Sequence, residues 1–445
     1  MKLKILKTIG FILLCISILI GGLFIYIYFT QPISIYEPKV TEYNMNPVLD
    51  KELTVDEVKE DIESMIDIME SSHPIFLEEV PEEYYKAKED LLSNSDKAMY
   101  VAELQNIISK YLSSIDDGHT ALWWSEKLYL DINWRYEDGK LRLLDENNLL
   151  TDKVVTKIGG VEIGVIISKI EEMFPAENYV AEAKNISNYS KGKLLLENAG
   201  VKFLKKIYLT IEDNDGEEEL EVEFTRNPND GYHMDYSIYS NKYNENIAYI
   251  KLGICEVNSS LDKVIEDINK YISEGVSNFI VDVADNPGGN SQACSMILEA
   301  LNINPGYYGG VIRFSPLAQE QRGYLRKSGY VKHKNNNISV ENEDINLYVI
   351  TNENTFSSSQ MLAVWVSDGD LGTIVGRSSS NMPSCYGDIL TFQLENSKIK
   401  GQISHKKWTR PDKTKDDERV LNPDVYVEYG EDILEKTMEV IENNK

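Results

Sequence analysis

Two short segments of this sequence carry residue types that acyl-transfer chemistry requires, and the first is a glycine turn. Residues 282–290 read Asp-Val-Ala-Asp-Asn-Pro-Gly-Gly-Asn, so a predicted buried strand leads through Gly288 and Gly289 into a predicted helix. Glycines let the backbone approach a ligand closely, and a helix N-terminus offers free N–H groups and a positive dipole. Such a turn can hold a developing oxyanion, although a plain strand-to-helix turn has the same sequence features.

The second segment, residues 355–360, reads Thr-Phe-Ser-Ser-Ser-Gln and again connects a predicted strand to a predicted helix. A serine pinned there by a tight turn, here Ser357, is exposed as a nucleophile must be. Serine and threonine are also ordinary helix caps, and capping is the more common role for a serine taken alone.

A base for such a serine is offered by His119, which lies in the polar loop Asp-Asp-Gly-His-Thr at residues 116–120. Imidazole is the side chain whose unperturbed pKa suits proton transfer near pH 7. A lone histidine in a turn is more often structural, so none of the three segments decides the function by itself.

In their order along the chain, the three segments resemble peptidase family S41, the C-terminal-processing and tricorn-like serine peptidases, over roughly residues 52–440. The strand that ends in Asn-Pro-Gly-Gly, residues 279–290, is the most specific element, and residues 355–357 are similar to the family's Thr-x-Ser nucleophile turn. The resemblance implies that Ser357 attacks the substrate. It also implies an oxyanion hole formed by the backbone of Gly288, Gly289 and Ser358.

The same resemblance bears on the identity of the base. The bacterial processing branch uses a lysine a few residues after a glycine that corresponds to Gly376, but the expected position falls near Met382 and holds no lysine. Residues 117–120 are instead similar to the histidine motif of the tricorn-like branch. The resemblance therefore implies Ser–His chemistry with His119 as the base.

The third catalytic group is left open between two residues. The tricorn-like branch adds an orienting carboxylate shortly before a Pro-Asp pair, here residues 423–424, and the candidates are Asp417 and Glu418. The family often has a glutamate three residues after the nucleophile, where this chain has Gln360. The alternative to a peptidase is thus a binding or scaffolding protein that keeps the fold without turnover. A crotonase-type acyl-CoA enzyme is disfavoured, because its cofactor is cytoplasmic and the class needs no membrane anchor.

The elements that must position these residues predict an α/β protein of several domains. Helical periodicity over residues 51–120 predicts an N-terminal helical module, and short strands with one or two helices over 125–228 predict a small mixed domain. Strands alternating with helices over 240–440 predict a mostly parallel sheet. The family resemblance implies that the middle domain is a divergent PDZ-like domain and that the last is a catalytic core related to the crotonase and ClpP folds.

The first thirty residues differ from the rest. Three lysines precede an uncharged run over residues 8–29, which as a helix is about 33 Å long at ~1.5 Å per residue and can span a bilayer. The run has no A-x-A-like exit, which favours an uncleaved anchor at residues 1–30 over a cleaved signal peptide. The lysines should stay in the cytoplasm, so a stalk at residues 31–50 and everything after it should lie outside the cell membrane.

Composition excludes some partners. The net charge of −28 argues against nucleic-acid binding, which needs a basic face. The three cysteines after the anchor lack metal-knuckle spacing, and five histidines are too few for a histidine-rich site, so we predict neither a metal nor a cofactor. The expected partners are a peptide or protein substrate and the membrane, and the sequence does not specify an oligomeric state.

Overall fold

The computed structural model describes residues 2–39, 42–203, 206–226, 234–334, 340–342 and 344–443. The first element is helix α1 (Lys2–Thr30), in which the 22 residues Ile9–Thr30 are long and apolar enough to cross a membrane and are not buried against the rest of the protein. Among the described residues no other helix meets this test. Length and composition do not separate an anchor from a signal sequence.

The predicted stalk after α1 lies partly against the core. Ser34 pairs with Tyr324 in an isolated β-bridge, and the backbone amides of Ile35 and Tyr36 both donate to the carbonyl of Gly323. Positions 40–41 of the predicted stalk lie outside the described residues.

The helical module is built from three amphipathic helices. The first begins with a capping box, in which Thr54 and Glu57 satisfy each other's backbone N–H groups. The elements of this region are β1 (Glu52–Leu53), α2 (Val55–Ser72), a 3₁₀ turn (Pro74–Leu77), α3 (Glu82–Leu92), β2 (Met99–Tyr100), α4 (Val101–Ser113) and β3 (Ala121–Leu122).

The middle region contains an antiparallel sheet with the strand order β10-β9-β7-β6-β5, covered by helices. The sequence Asn-Asp-Gly at 214–216 makes the predicted hairpin turn between its last two strands. The PDZ-like assignment of this region stays a prediction. The elements are β4 (Tyr129–Leu130), β5 (Trp134–Glu137), β6 (Lys140–Leu144), β7 (Leu150–Ile158), β8 (Val161–Glu162), α5 (Ile163–Met173), α6 (Tyr179–Tyr189), α7 (Lys193–Asn198), β9 (Ile207–Asp213), β10 (Gly216–Val222) and β11 (Phe224–Thr225).

The C-terminal region contains the predicted α/β sheet, with the order β12-β13-β14-β19-β20-β23 and parallel pairing from β13 onward. Its central strands β13, β14 and β19 are almost wholly buried, as parallel strands covered on both faces must be. The elements are β12 (Ile238–Lys242), β13 (Ile247–Leu252), α8 (Ser259–Ser273), β14 (Asn278–Asp282), α9 (Ser291–Ala300), β15 (Ile303–Asn304), β16 (Gly309–Arg313), α10 (Pro316–Arg322), β17 (Tyr330–His333), β18 (Glu341–Asn342), β19 (Asn346–Thr351), α11 (Ser358–Asp368), β20 (Thr373–Gly376), β21 (Cys385–Gln393), β22 (Lys400–Thr409), a 3₁₀ turn (Lys413–Lys415), β23 (Val425–Tyr426) and α12 (Ile433–Asn443).

A second, antiparallel sheet with the order β17-β16-β22-β21 joins the helical module to this core. Buried side chains of α2 and α4 form one hydrophobic cluster with those of β21 and β22, and β3 pairs with β22. The loop at residues 116–120, which lies between α4 and β3, is therefore held against the C-terminal region.

The middle region is joined to the core by a buried ion triad. Glu353, just after β19, accepts from Arg135 of β5 at 2.6 Å and from Arg377, just after β20, at 2.9 Å. Burial by itself would raise the pKa of Glu353, but the two guanidinium groups lower it to about 2. Both arginines also lie over the ring of Tyr429.

Candidate active site

Ser357 lies between β19 and α11 in a backbone conformation that L-residues rarely adopt, with φ 57° and ψ −121°. Its amide donates to Asn381 Oδ1 at 2.7 Å. Its side chain makes no capping hydrogen bond to α11, so the ordinary capping role is not the one this serine has. The hydroxyl of Ser357 is left half-buried and free of the helix.

The nucleophile turn is bound directly to the glycine turn that follows β14. The amide of Phe356 donates to the carbonyl of Asn286 at 2.9 Å, and the hydroxyl of Ser358 donates to the carbonyl of Gly289 at 2.7 Å. A Cβ at Gly288 would lie 2.6 Å from Cβ of Ser357. Because β14 and β19 are adjacent parallel strands, their carboxyl ends bring the two turns together.

The predicted oxyanion donors differ in their availability. The amide of Gly288 already donates to Asn286 Oδ1 at 2.8 Å. The amides of Gly289 and Ser358 have no acceptor among the residues that the structure describes. Gly289 has φ 130°, a conformation open to glycine, and its neighbour Gly288 has φ 99°.

The loop that carries His119 is organised by Asp117, which is fully buried. Its carboxylate accepts from the amide of His119 at 2.9 Å, from His73 Nε2 at 3.0 Å, and from the hydroxyls of Thr120 and Ser404 at 2.5 and 2.6 Å. Burial by itself would raise the pKa of Asp117, but these partners lower it to about 2. Asp117 therefore serves mainly to hold the loop on β22.

The His119 ring is only 5% exposed and packs on Phe356, the residue before the nucleophile, with ring centroids 4.6 Å apart. Its Nδ1 lies 3.9 Å from Glu177 Oε1 and 3.9 Å from Asp117 Oδ1, and neither ring nitrogen has a hydrogen-bond partner among the described residues. Burial by itself would lower the pKa of His119, but the two carboxylates outweigh it and the pKa is raised. The ring therefore lies against the residue that precedes Ser357, and no hydrogen bond joins His119 to Ser357.

Glu177, between α5 and α6, is 1% exposed and links the base to the nucleophile. Its Oε1 accepts from the amide of Gly118 at 3.0 Å, and its Oε2 accepts from the amide of Met382 at 2.7 Å and from Asn381 Nδ2 at 2.6 Å. The same Asn381 amide group accepts from Ser357 N. The side chain of Asn381 thus connects the carboxylate of Glu177 to the backbone of Ser357.

The two carboxylates predicted to orient His119 lie elsewhere. Glu418 is half-exposed and pairs with Arg410 at 2.9 Å, and Asp417 is exposed. Of the described acidic residues, only Asp117 and Glu177 come within 4.0 Å of a His119 nitrogen. No motif in the sequence marks Glu177, because it comes from a region outside the catalytic core. Asn381 is adjacent to Met382, the position where a lysine was expected.

Gln360 is buried beside this network. Its Nε2 donates to the carbonyl of Asn381 at 3.3 Å, and its Oε1 has no partner within the described ranges. The side chain therefore supports the Asn381 loop, and it brings no charge toward Ser357.

A serine-type peptidase is the class of protein that this fold and site define. Residues 246–427, which lie in the C-terminal region, match the model of Peptidase family S41. The matched range includes Ser357 and both glycines of the turn, but it excludes His119 and Glu177. Among curated proteins, no sequence matches the chain.

Solved structures of similar fold include mature CPAF, which is 11% identical with a TM-score of 0.57 over 83% of this chain and 93% of that one. A CPAF mutant is 11% identical with a TM-score of 0.59 over 87% and 96%. The photosystem II D1 C-terminal processing protease is 13% identical with a TM-score of 0.43 over 84% and 94%. At these identities the CPAF structures bear on the fold alone.

Proposed function

We propose that this protein is a membrane-anchored, extracytoplasmic serine peptidase that hydrolyses peptide bonds through an acyl-enzyme on Ser357. The observation that carries the proposal is the close approach of Ser357, on a strained turn, to Gly288, together with the packing of the His119 ring on Phe356, the residue before Ser357. A structural serine needs neither a left-handed backbone nor a buried histidine beside it.

The roles of the groups follow from their positions. Nδ1 of His119 lies 3.9 Å from both Glu177 and Asp117, so Nε2 is the nitrogen left to accept the Ser357 proton and return it to the leaving amine. Catalytic hydrogen bonds are often long in ligand-free sites and tighten with substrate, which accounts for the unmade Ser357–His119 contact. The free amides of Gly289 and Ser358 are the better oxyanion donors, because the Gly288 amide is engaged by Asn286.

Glu177 is the best-placed positioning carboxylate for His119, in preference to Asp417 and Glu418. A carboxylate near Nδ1 favours the imidazolium that forms during attack. Three hydrogen bonds hold Glu177 on the side away from solvent, so its approach to the ring is set by the fold.

The location is part of the proposal. The apolar helix Ile9–Thr30 with lysines before it supports an uncleaved anchor whose N-terminus stays in the cytoplasm. The substrate is then a peptide or protein tail outside the membrane.

The test is labelling of the full chain by a fluorophosphonate, together with peptide hydrolysis. Ser357→Ala should abolish the label, and Ser357→Ala and His119→Ala should each lower kcat by at least ~1000-fold while both variants remain folded by circular dichroism. The matched controls are Ser295→Ala and His333→Ala, which change the same residue types away from the site. If wild-type protein takes no Ser357-dependent label and cleaves no peptide, the chain is a scaffold with the peptidase fold.

A further inference from the structure

Three potential metal ligands, one of which is the proposed base His119, lie close together in the site. A ring nitrogen of His119 and one carboxylate oxygen each of Asp117 and Glu177 lie within 4.8 Å of one another, and all three residues are buried. This arrangement is more than an acidic cluster, because both nitrogens of the 95% buried His119 ring lack a hydrogen-bond partner within the described chain.

The distances fit a shared cation better than direct hydrogen bonds. Nδ1 of His119 is 3.9 Å from each of the two carboxylate oxygens, well beyond the ~2.7–3.2 Å of an N–H···O bond. Two ligand atoms bound to one Zn²⁺ at about 2.1 Å with a tetrahedral angle lie about 3.4 Å apart. The two nitrogen-to-oxygen distances exceed this value by about 0.5 Å, and the two carboxylate oxygens lie within 4.8 Å of each other, so the three side chains move inward when they bind the ion.

The donor set selects the kind of ion. One imidazole nitrogen with two carboxylate oxygens is a ligand set of zinc, whereas Ca²⁺ and Mg²⁺ prefer oxygen ligands only. Both carboxylates keep a lone pair for a metal, since Asp117 Oδ1 and Glu177 Oε1 each accept a single hydrogen bond, from His119 N and Gly118 N.

We infer that Asp117, His119 and Glu177 form a binding site for Zn²⁺, and that the bound ion switches the peptidase off. A metal on Nδ1 leaves the remaining ring proton on Nε2, so the ring cannot accept the proton of Ser357. The inhibitory part rests on the proposed function, and the binding part does not. The ion is a reversible inhibitor here and takes no part in hydrolysis.

The experiment uses the full-length protein in detergent, stripped of metal by a chelator, with ZnCl₂ as the titrant in calorimetry. We expect one equivalent of Zn²⁺ to bind. His119→Ala should remove that binding, Glu177→Gln should weaken it at least ~10-fold, and the matched control His333→Ala should leave it unchanged. Co²⁺ added to the wild-type protein should give the visible absorption of a tetrahedral nitrogen and oxygen site, a readout that needs no variant to fold.

The inhibition is read from fluorophosphonate labelling of Ser357, which Zn²⁺ should slow and the chelator should restore. Zinc binding that is equally strong in His119→Ala, or no binding and no Co²⁺ spectrum, overturns the site. Stoichiometric binding that depends on His119 and Glu177, in a protein whose zinc-free form neither labels nor cleaves, overturns the peptidase assignment and leaves the metal site standing.

Discussion

Ser357 and His119 each occupy a position that is unfavourable in free energy, and the surrounding residues offset that cost. A non-glycine residue with φ 57° stores roughly 1–3 kcal/mol of backbone strain, which the bond from Ser357 N to Asn381 helps to hold. His119 is buried, yet two nearby carboxylates keep its pKa above the ordinary value. The strained backbone of Ser357 and the raised pKa of His119 are properties of single residues, and neither can be predicted from the amino-acid type alone.

The raised pKa of His119 predicts the acid limb of activity. The base must be neutral, so kcat/KM should increase with pH through a midpoint above the ordinary value of 6.5. Glu177→Gln removes a carboxylate that raises this pKa, so the midpoint should move to lower pH while the plateau falls by at least ~10-fold. The measurement is a pH–rate profile of both proteins. Glu418→Gln is the matched control. If the midpoint of the pH–rate profile moves in Glu418→Gln and not in Glu177→Gln, Glu418 is the residue that positions His119.

At the scale of elements, the site depends on two strand-to-helix turns that contact each other without intervening side chains. Gly288 lies so near Ser357 that a Cβ would overlap at 2.6 Å, and its φ of 99° disfavours any side chain. The packing of β14 beside β19 therefore sets the proposed nucleophile directly against the glycine turn.

Gly288→Ala tests this packing. The added methyl group should displace Ser357, and a displacement of about 1 Å costs on the order of 100-fold in kcat/KM. A modest loss of stability, about 1–3 kcal/mol, should accompany it because of the positive φ. Gly164→Ala is the control, since a Cβ there meets nothing within 4 Å and the residue is in a helix. Equal activity in Gly288→Ala and wild type would contradict the close contact of the two turns.

At the scale of the whole molecule, the proposed catalytic groups come from three regions that must be docked on one another. Ser357 and Gly289 belong to the core, His119 follows the helical module, and Glu177 comes from the middle region. The buried triad of Arg135, Glu353 and Arg377 is one of the contacts that hold the middle region in place.

Acidification should loosen that docking. Because the pKa of Glu353 is lowered in the folded protein, its contribution is present above the ordinary value of 4.5 and is lost as the pH falls toward about 2. Glu353→Gln leaves two largely buried guanidinium groups, 20% and 13% exposed, without their anion and should cost up to about 3–5 kcal/mol at neutral pH. Urea unfolding at a series of pH values measures both effects. The exposed Glu266→Gln should change the free energy of unfolding by less than ~0.5 kcal/mol, and similar losses in the two variants would contradict the role of the triad.

The proposed membrane anchor also concerns the whole chain. The full-length protein should sediment with membranes and be released only by detergent, and a variant lacking residues 2–30 should be released without it. Mass spectrometry of the membrane-bound form should find the N-terminus at the start of the chain. An N-terminus beyond Thr30 would identify the helix as a cleaved signal, and protection from protease added to intact cells would contradict the outward placement.

The sequence by itself determined the features that are local in the chain. A run of uncharged residues defines the α1 helix, the 3.6- and 2-residue periodicities define the helices and strands, and the turn sequences at 286–289 and 355–357 place the nucleophile and the glycine turn at strand ends. These features depend on residues that are close together in the sequence, and the family match over residues 246–427 includes both turns. Ser357 and His119 could be proposed on this basis because each lies in a recognisable motif.

Only the tertiary structure decided which carboxylate approaches the base. Asp417 and Glu418 were predicted from their place before a Pro-Asp pair, whereas Glu177 reaches His119 because the middle region docks over the core. That docking depends on contacts between residues hundreds of positions apart, such as Glu177 with Asn381, and no local pattern encodes them. The proposed zinc site depends on two buried carboxylates that lie near the His119 ring without hydrogen-bonding to it. This arrangement is a product of the same long-range packing.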